Sequence, residues 1–124
     1  MPAWTPQQLM AIEAMNNTIL VSAAAGSGKT AVLVERIVQL IRGGAHLNRM
    51  LIVTFTKAAA AEMRQRLNRR LINEAQEAPG IFGQALDELE STEISTIHAF
   101  VRRCCATIFR RWASTRWSAP ATIR

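Results

Sequence analysis

The chain has 124 residues, 49% of them hydrophobic, and a formal net charge of +6. That is enough apolar mass for a core, too much for wholesale disorder, and room for one domain at most. No apolar run approaches the roughly 20 residues that span a bilayer, and the start, MPAWTPQQ, lacks the basic and apolar regions of a secretory leader, so the chain reads as cytoplasmic.

The first predicted element is a helix in TPQQLMAIEAM, with Thr5 as N-cap, Pro6 at its first position and Leu9, Ile12 and Met15 at helical spacing. After Asn16-Asn17, TILVSAA (18–24) reads as a short buried strand, and a glycine turn leads into KTAVLVERIVQLIR, a helix apolar on more than one face. Gly43 or Gly44 supplies the left-handed cap that closes it. MLIVTF (50–55) reads as a second strand, and residues 57–78 as a long helix of good formers stopped at Pro79-Gly80. Residues 81–90 form a short amphipathic helix, EISTI (93–97) a brief strand, and residues 98–112 a last helix. Strands alternating with helices across long connections predict a parallel sheet with helices packed on it.

The turn before the second helix carries the chemistry. Residues 23–30, AAAGSGKT, match the phosphate-loop signature G-x-x-x-x-G-K-[ST], with Ala23 at the first glycine position. Gly26 and Gly28 let the backbone curl so that successive N–H groups meet phosphates at the positive end of the following helix. Lys29 then supplies charge to the β and γ phosphates, and the Thr30 hydroxyl is placed to coordinate Mg²⁺.

Charge is distributed unevenly. Residues 1–93 carry nine Lys/Arg against nine Asp/Glu, whereas residues 94–124 carry six arginines and no acid. Clustered arginines hold phosphates, which points to an anionic partner; a solvated basic helix face is the alternative. The two cysteines, Cys104 and Cys105, are adjacent and build neither a disulfide framework nor a metal site.

WTPQQ upstream of the loop, LIVTFTKAAAAEMRQRL downstream and ISTIHAF further on stand in the order found in superfamily 1 DNA helicases of the UvrD/Rep type. The chain resembles that family from about Trp4 to about Phe109, and its first stretch looks most like the AddA subunits of bacterial AddAB helicase–nucleases. The resemblance implies an α/β fold of the P-loop NTPase (RecA-like) kind, a parallel sheet with flanking helices, here incomplete. Residues 1–111 would be the N-terminal part of the ATP-binding domain and residues 112–124 an unstructured tail.

By position, the resemblance places Gln8 on the adenine edge, where an amide can donate and accept at once. It wraps Ala23, Ala24, Ala25, Gly26, Ser27, Gly28, Lys29 and Thr30 around ATP, with Lys29 and Thr30 in the catalytic roles and Thr30 on Mg²⁺. Thr54, Phe55, Thr56 and Lys57 fall in a motif that touches single-stranded DNA, hydroxyls to phosphate and the Phe55 ring to a base. Read without the family, Phe55 packs beneath the end of the sheet. Many relatives carry Asn where Lys57 stands. Thr96 and His98 fall in a second DNA-side motif, Thr96 also serving as a helix cap, and Arg102 extends a basic surface from it.

The family hydrolyses ATP with an Asp-Glu pair at the end of an apolar strand. The one aspartate here, Asp87 in QALDELE, follows no such strand and reads as an acidic helix face. Also absent are the arginine motifs of the second motor domain, the nuclease domain and the cysteines of an iron–sulfur site. The expectation is therefore an N-terminal fragment of an ATP-dependent DNA helicase that serves double-strand-break repair and recombination with an AddB-like partner. By itself it is expected to be inactive in ATP turnover and to expose an apolar sheet edge. The alternatives are a non-catalytic nucleotide- or DNA-binding module and a truncated, inactive gene product.

Overall fold

The computed structural model describes residues 4–15, 18–22, 24 and 26–116, with side chains described as far as residue 111. Helix α1 (Pro6–Glu13) starts on a capping box: Thr5 Oγ1 accepts the Gln8 N–H at 3.3 Å, and Gln8 Oε1 accepts the Thr5 N–H at 2.8 Å. Helix α2 (Lys29–Arg42) springs from Gly28 and closes at Gly43, with Gly44 in the left-handed conformation (φ +89°). A 3-10 turn (Leu47–Arg49) leads to strand β1 (Leu51–Thr54) and helix α3 (Lys57–Glu77), whose first turn is capped by Thr56 Oγ1 accepting the Ala59 N–H. Helix α4 (Pro79–Ser91), strand β2 (Glu93–Thr96) and helix α5 (Ile97–Arg116) follow.

The result is a mostly helical α/β fold on a two-stranded sheet. Strands β1 and β2 run parallel, in register from Leu51 opposite Glu93 to Thr54 opposite Thr96. The strand expected at 18–24 is not part of that sheet: its described residues pair with neither β1 nor β2, and Leu20 is 96% exposed. An apolar, β-branched run has the propensity for a strand, but a ladder also needs a neighbour. Helix α5 runs to Arg116, so the boundary drawn at 111 falls inside it; residues 117–124 lie outside the described residues.

The core follows from helical spacing. On α3, Ala60, Met63, Leu67 and Leu71 recur every three or four residues and form one buried stripe. That stripe meets Ile52 and Ile94, paired neighbours on one face of the sheet, together with Val38 and Ile41 of α2 and Phe82 and Leu89 of α4. Among the described residues no helix is long and apolar enough to cross a membrane.

Charge then ties the layers. Glu74, 3% exposed, accepts from Arg42 of α2 and from Arg70 of its own helix. Arg70 also forks onto Glu35 through Nε at 2.9 Å and Nη2 at 3.1 Å. Glu88 of α4 accepts from His46 Nδ1 and Gln84 Nε2, each at 2.9 Å, and from the Asn48 N–H at 3.3 Å. Arg64 closes the end of α4 by donating to the carbonyls of Leu89 (2.6 Å) and Thr92 (3.1 Å).

The order of these bridges sets the helix directions. Glu35 meets Arg70 and, further along both helices, Arg42 meets Glu74, so α2 and α3 run in the same sense. Glu35 lies 6 residues from the start of α2 and Arg70 lies 13 from the start of α3. At about 1.5 Å per residue the N-terminus of α3 therefore projects roughly 10 Å beyond that of α2, at the same end of the molecule.

Candidate nucleotide and nucleic-acid site

Gly26 (φ +79°) and Gly28 (φ +82°) both adopt the left-handed conformation, which glycine enters without steric cost. Gly28 caps α2, so the helix's free N–H groups and its positive dipole end open directly into the turn. Lys29 is the first residue of α2 and folds back, its Nζ donating to the Ala24 carbonyl at 2.6 Å. Thr30 follows it, exposed. This arrangement fits a triphosphate: curled backbone donors, a helix end and an ammonium group within one turn. Magnesium shares its shell with phosphates and waters, so one threonine hydroxyl is an adequate protein ligand. Ala23 and Ala25 lie outside the described residues.

Gln8 is tied to this loop. Its Nε2 donates to the Ser27 carbonyl at 3.2 Å while its Oε1 serves the capping box of α1. An amide has two N–H groups and two lone pairs on oxygen, so one donor and one acceptor remain for a ligand. Packing at this point is close, since a Cβ on residue 28 would stand 3.3 Å from Gln8 Nε2. Gly28→Ala therefore combines a left-handed strain with a crowded brace. It is expected to lower stability by about 1 kcal/mol or more, read as a lower urea midpoint; an unchanged midpoint would contradict the tight fit.

The other predicted residues gather at the carboxyl ends of the two strands. Thr54 and Thr96 are register partners, and each strand feeds a helix within two residues, α3 after β1 and α5 after β2. Thr96 Oγ1 accepts the Ala99 N–H at 3.2 Å, as Thr56 does for Ala59, so two capped helix N-termini open side by side. Thr54 Oγ1 donates to the Thr56 carbonyl at 3.0 Å. Phe55 stands between them at 93% exposure, which overturns packing beneath the sheet.

Lys57, Thr96 and Arg102 line one groove of about 670 Å³ between α3 and α5, joined by Arg64 and Arg103. Lys57 and Arg102 make no ion pair among the described residues, whereas Arg103 is paired with Glu93. His98 is exposed in the first turn of α5, outside the lining of that groove. Arg64 was not singled out in the sequence; its position one turn beyond Ala60 on the buried stripe was the available signal. Asp87 is exposed on α4, and no carboxylate lines the depression that holds Gln8, Ser27 and Lys29.

The family model described as the UvrD/REP helicase N-terminal domain matches residues 4–119. The chain is 48% identical over 114 residues to the AddA-type ATP-dependent helicase/nuclease protein of Syntrophomonas wolfei, a match covering 90% of this chain and 9% of that protein. It is 46% identical over 113 residues to the protein of the same name from Heliobacterium modesticaldum (90% and 8%). For the one from Pediococcus pentosaceus the figures are 43% over 114 residues (88% and 9%). The chain thus spans less than a tenth of the length of these curated relatives.

Proposed function

The chain belongs to the UvrD/REP helicase N-terminal domain family, and from that premise we propose that it is the nucleotide-holding and DNA-facing part of an ATP-dependent DNA helicase subunit. The observation that supports this best is the common end of three helices. The glycine loop opens at the start of α2, and the threonine-capped starts of α3 and α5 open at the same end, with Phe55 exposed on the turn into α3. Anions are favoured at each of these termini.

In this reading Gly26, Gly28 and Lys29 hold the phosphates of ATP, Thr30 holds Mg²⁺, and the remaining donor and acceptor of Gln8 meet the adenine edge. ATP supplies a phosphoanhydride whose hydrolysis drives movement. Thr56, Lys57, Thr96, His98 and Arg102 take DNA phosphates, and the exposed Phe55 ring stacks on a base. The whole protein acts in the cytoplasm in double-strand-break repair and recombination, beside an AddB-like partner. This stretch of it binds nucleotide without turning it over, because it carries no Asp-Glu pair at the end of an apolar strand and no carboxylate lines the depression that holds Gln8, Ser27 and Lys29. DNA-stimulated ATP turnover by the purified 124 residues, abolished by Lys29→Ala, would overturn that last point.

The DNA half is tested by fluorescence anisotropy with a labelled oligothymidine. Phe55→Ala is expected to weaken binding about 5- to 150-fold, the range for one lost base–aromatic stack. It should leave the urea midpoint in place, since the ring is outside the core. Lys57→Ala should weaken binding less and flatten its salt dependence. Unchanged affinity in both variants would sink the assignment of this end to DNA.

A further inference from the structure

The groove between α3 and α5 has two ends. Lys57 and Thr96 stand at the carboxyl ends of the strands. Arg64 marks the other end, where it donates to the Leu89 and Thr92 carbonyls beside Glu93, the first residue of β2. From Lys57 to Arg64 the helix rises roughly 10 Å, at about 1.5 Å per residue. From Thr96 back to Glu93 the strand covers the same distance, roughly 10 Å at about 3.3 Å per residue. Helix α5 turns back along β2 until Arg103 stands level with Glu93, and their ion pair closes this strand–helix turn.

What each cation is bound to decides what it can offer a strand lying in the groove. Lys57 and Arg102 make no ion pair among the described residues. Arg64 is spent on two carbonyls. Arg103 is held differently: it donates through Nη2 to one oxygen of Glu93, and its Nε and Nη1 have no partner among the described residues. The two side chains of this pair are 61% and 29% exposed, and an ion pair so open to water is weak. A phosphate offers the guanidinium fork two parallel acceptors in place of one. The exchange needs only the rotation of one exposed side chain.

We propose that Glu93 is an internal competitor for the nucleic acid: in the free chain its carboxylate occupies Arg103, and a DNA phosphate entering the groove displaces it. The assignment rests on the DNA reading above. It adds Arg103 as a phosphate contact and makes Glu93 the residue that sets the groove's affinity. A lone small anion would have to break the pair unaided. A strand already held by Lys57 and Arg102 presents its next phosphate at high local concentration, so the competitor favours a polyanion.

Anisotropy titration of the full chain with labelled oligothymidine over a range of salt tests this. Glu93→Gln is expected to tighten binding about 2- to 5-fold, the worth of an exposed ion pair. Arg103→Gln should weaken binding and lower the slope of log affinity on log salt by about 0.7, one phosphate contact on a single strand. With Arg103→Gln already in place, Glu93→Gln should lose its gain. An equal gain with and without Arg103 would make Glu93 merely a nearby negative charge and overturn the proposal. Weaker binding by Glu93→Gln at an unchanged urea midpoint would make Glu93 a support for Arg103, and overturns it too. If Glu93→Gln fails to fold, Arg103→Gln decides alone, since a native salt slope in that variant excludes the phosphate contact. Failure of the unsubstituted chain to bind oligothymidine would instead overturn the DNA reading itself.

Discussion

Lys29→Ala is expected to lower affinity for a nucleoside triphosphate about 10- to 150-fold. The range is that of one hydrogen bond to a charged group, about 1.5–3 kcal/mol, and this lysine offers both a charge and three donors. Lys29 opens α2 with its Nζ on the Ala24 carbonyl, so the ammonium group closes the loop on itself. In the proposed reading a triphosphate takes over that ammonium group, and the N–H groups of the left-handed turn donate to its oxygens. Lys29 is exposed, so its loss should leave the urea midpoint nearly unchanged and confine the effect to binding. Lys29→Arg should recover part of the affinity, because the charge is kept on a planar head of different reach. Titration calorimetry in Mg²⁺ buffer checks this, and Lys29→Ala affinity within twofold of the native value would count against the phosphate loop as the binding site.

The largest effect on stability is expected from Glu74→Ala, about 2–3 kcal/mol by urea melting at pH 7. Breaking a buried ion pair costs about 3–5 kcal/mol. The lower figure applies because Arg42 and Arg70 retain access to water and Arg70 keeps Glu35. Burial pushes the Glu74 carboxyl up, but hydrogen bonds from Arg42 and Arg70 outweigh it and hold the group below its ordinary value of 4.5. The hydrogen bond from His46 likewise holds Glu88 below that value. A carboxylate depressed in the folded state stabilises fully above its unfolded pKa and loses that contribution as pH falls through the folded one. The native chain should therefore lose stability below about pH 4.5, and Glu74→Gln should show a shallower acid limb. Parallel acid limbs in the two proteins would exclude Glu74 as a source of the pH dependence.

Much of the helical skeleton was legible in the sequence, because helix ends are written locally. Thr5 with Pro6, the glycines before Lys29, and Pro79 each act on backbone groups within one turn. The structure starts or stops helices at or next to these positions. Strands were less legible. The same apolar character reads as strand at 18–24 and at 50–55, yet among the described residues the second alone pairs with a neighbour, contributed by residues 93–96. The sequence counts the basic residues, but position alone decides their use. Arg70 is spent on Glu35 and Glu74, Arg64 on two carbonyls, and Lys57 and Arg102 are left facing a groove.

The glycine turn and the start of α2 at Lys29 were determined by the sequence itself, since eight consecutive residues carry the turn, the charge and the start of the helix. What only the tertiary structure decided are the meetings between distant segments. Parallel pairing of β1 and β2 brings two helix starts together, with Phe55 exposed on the turn into α3. The shared sense of α2 and α3 puts the glycine loop at that same end. A turn or cap is a contract among near neighbours and can be read along the chain. Register, helix sense and the free or bound state of a charge depend on which remote residue arrives, and that is fixed by packing.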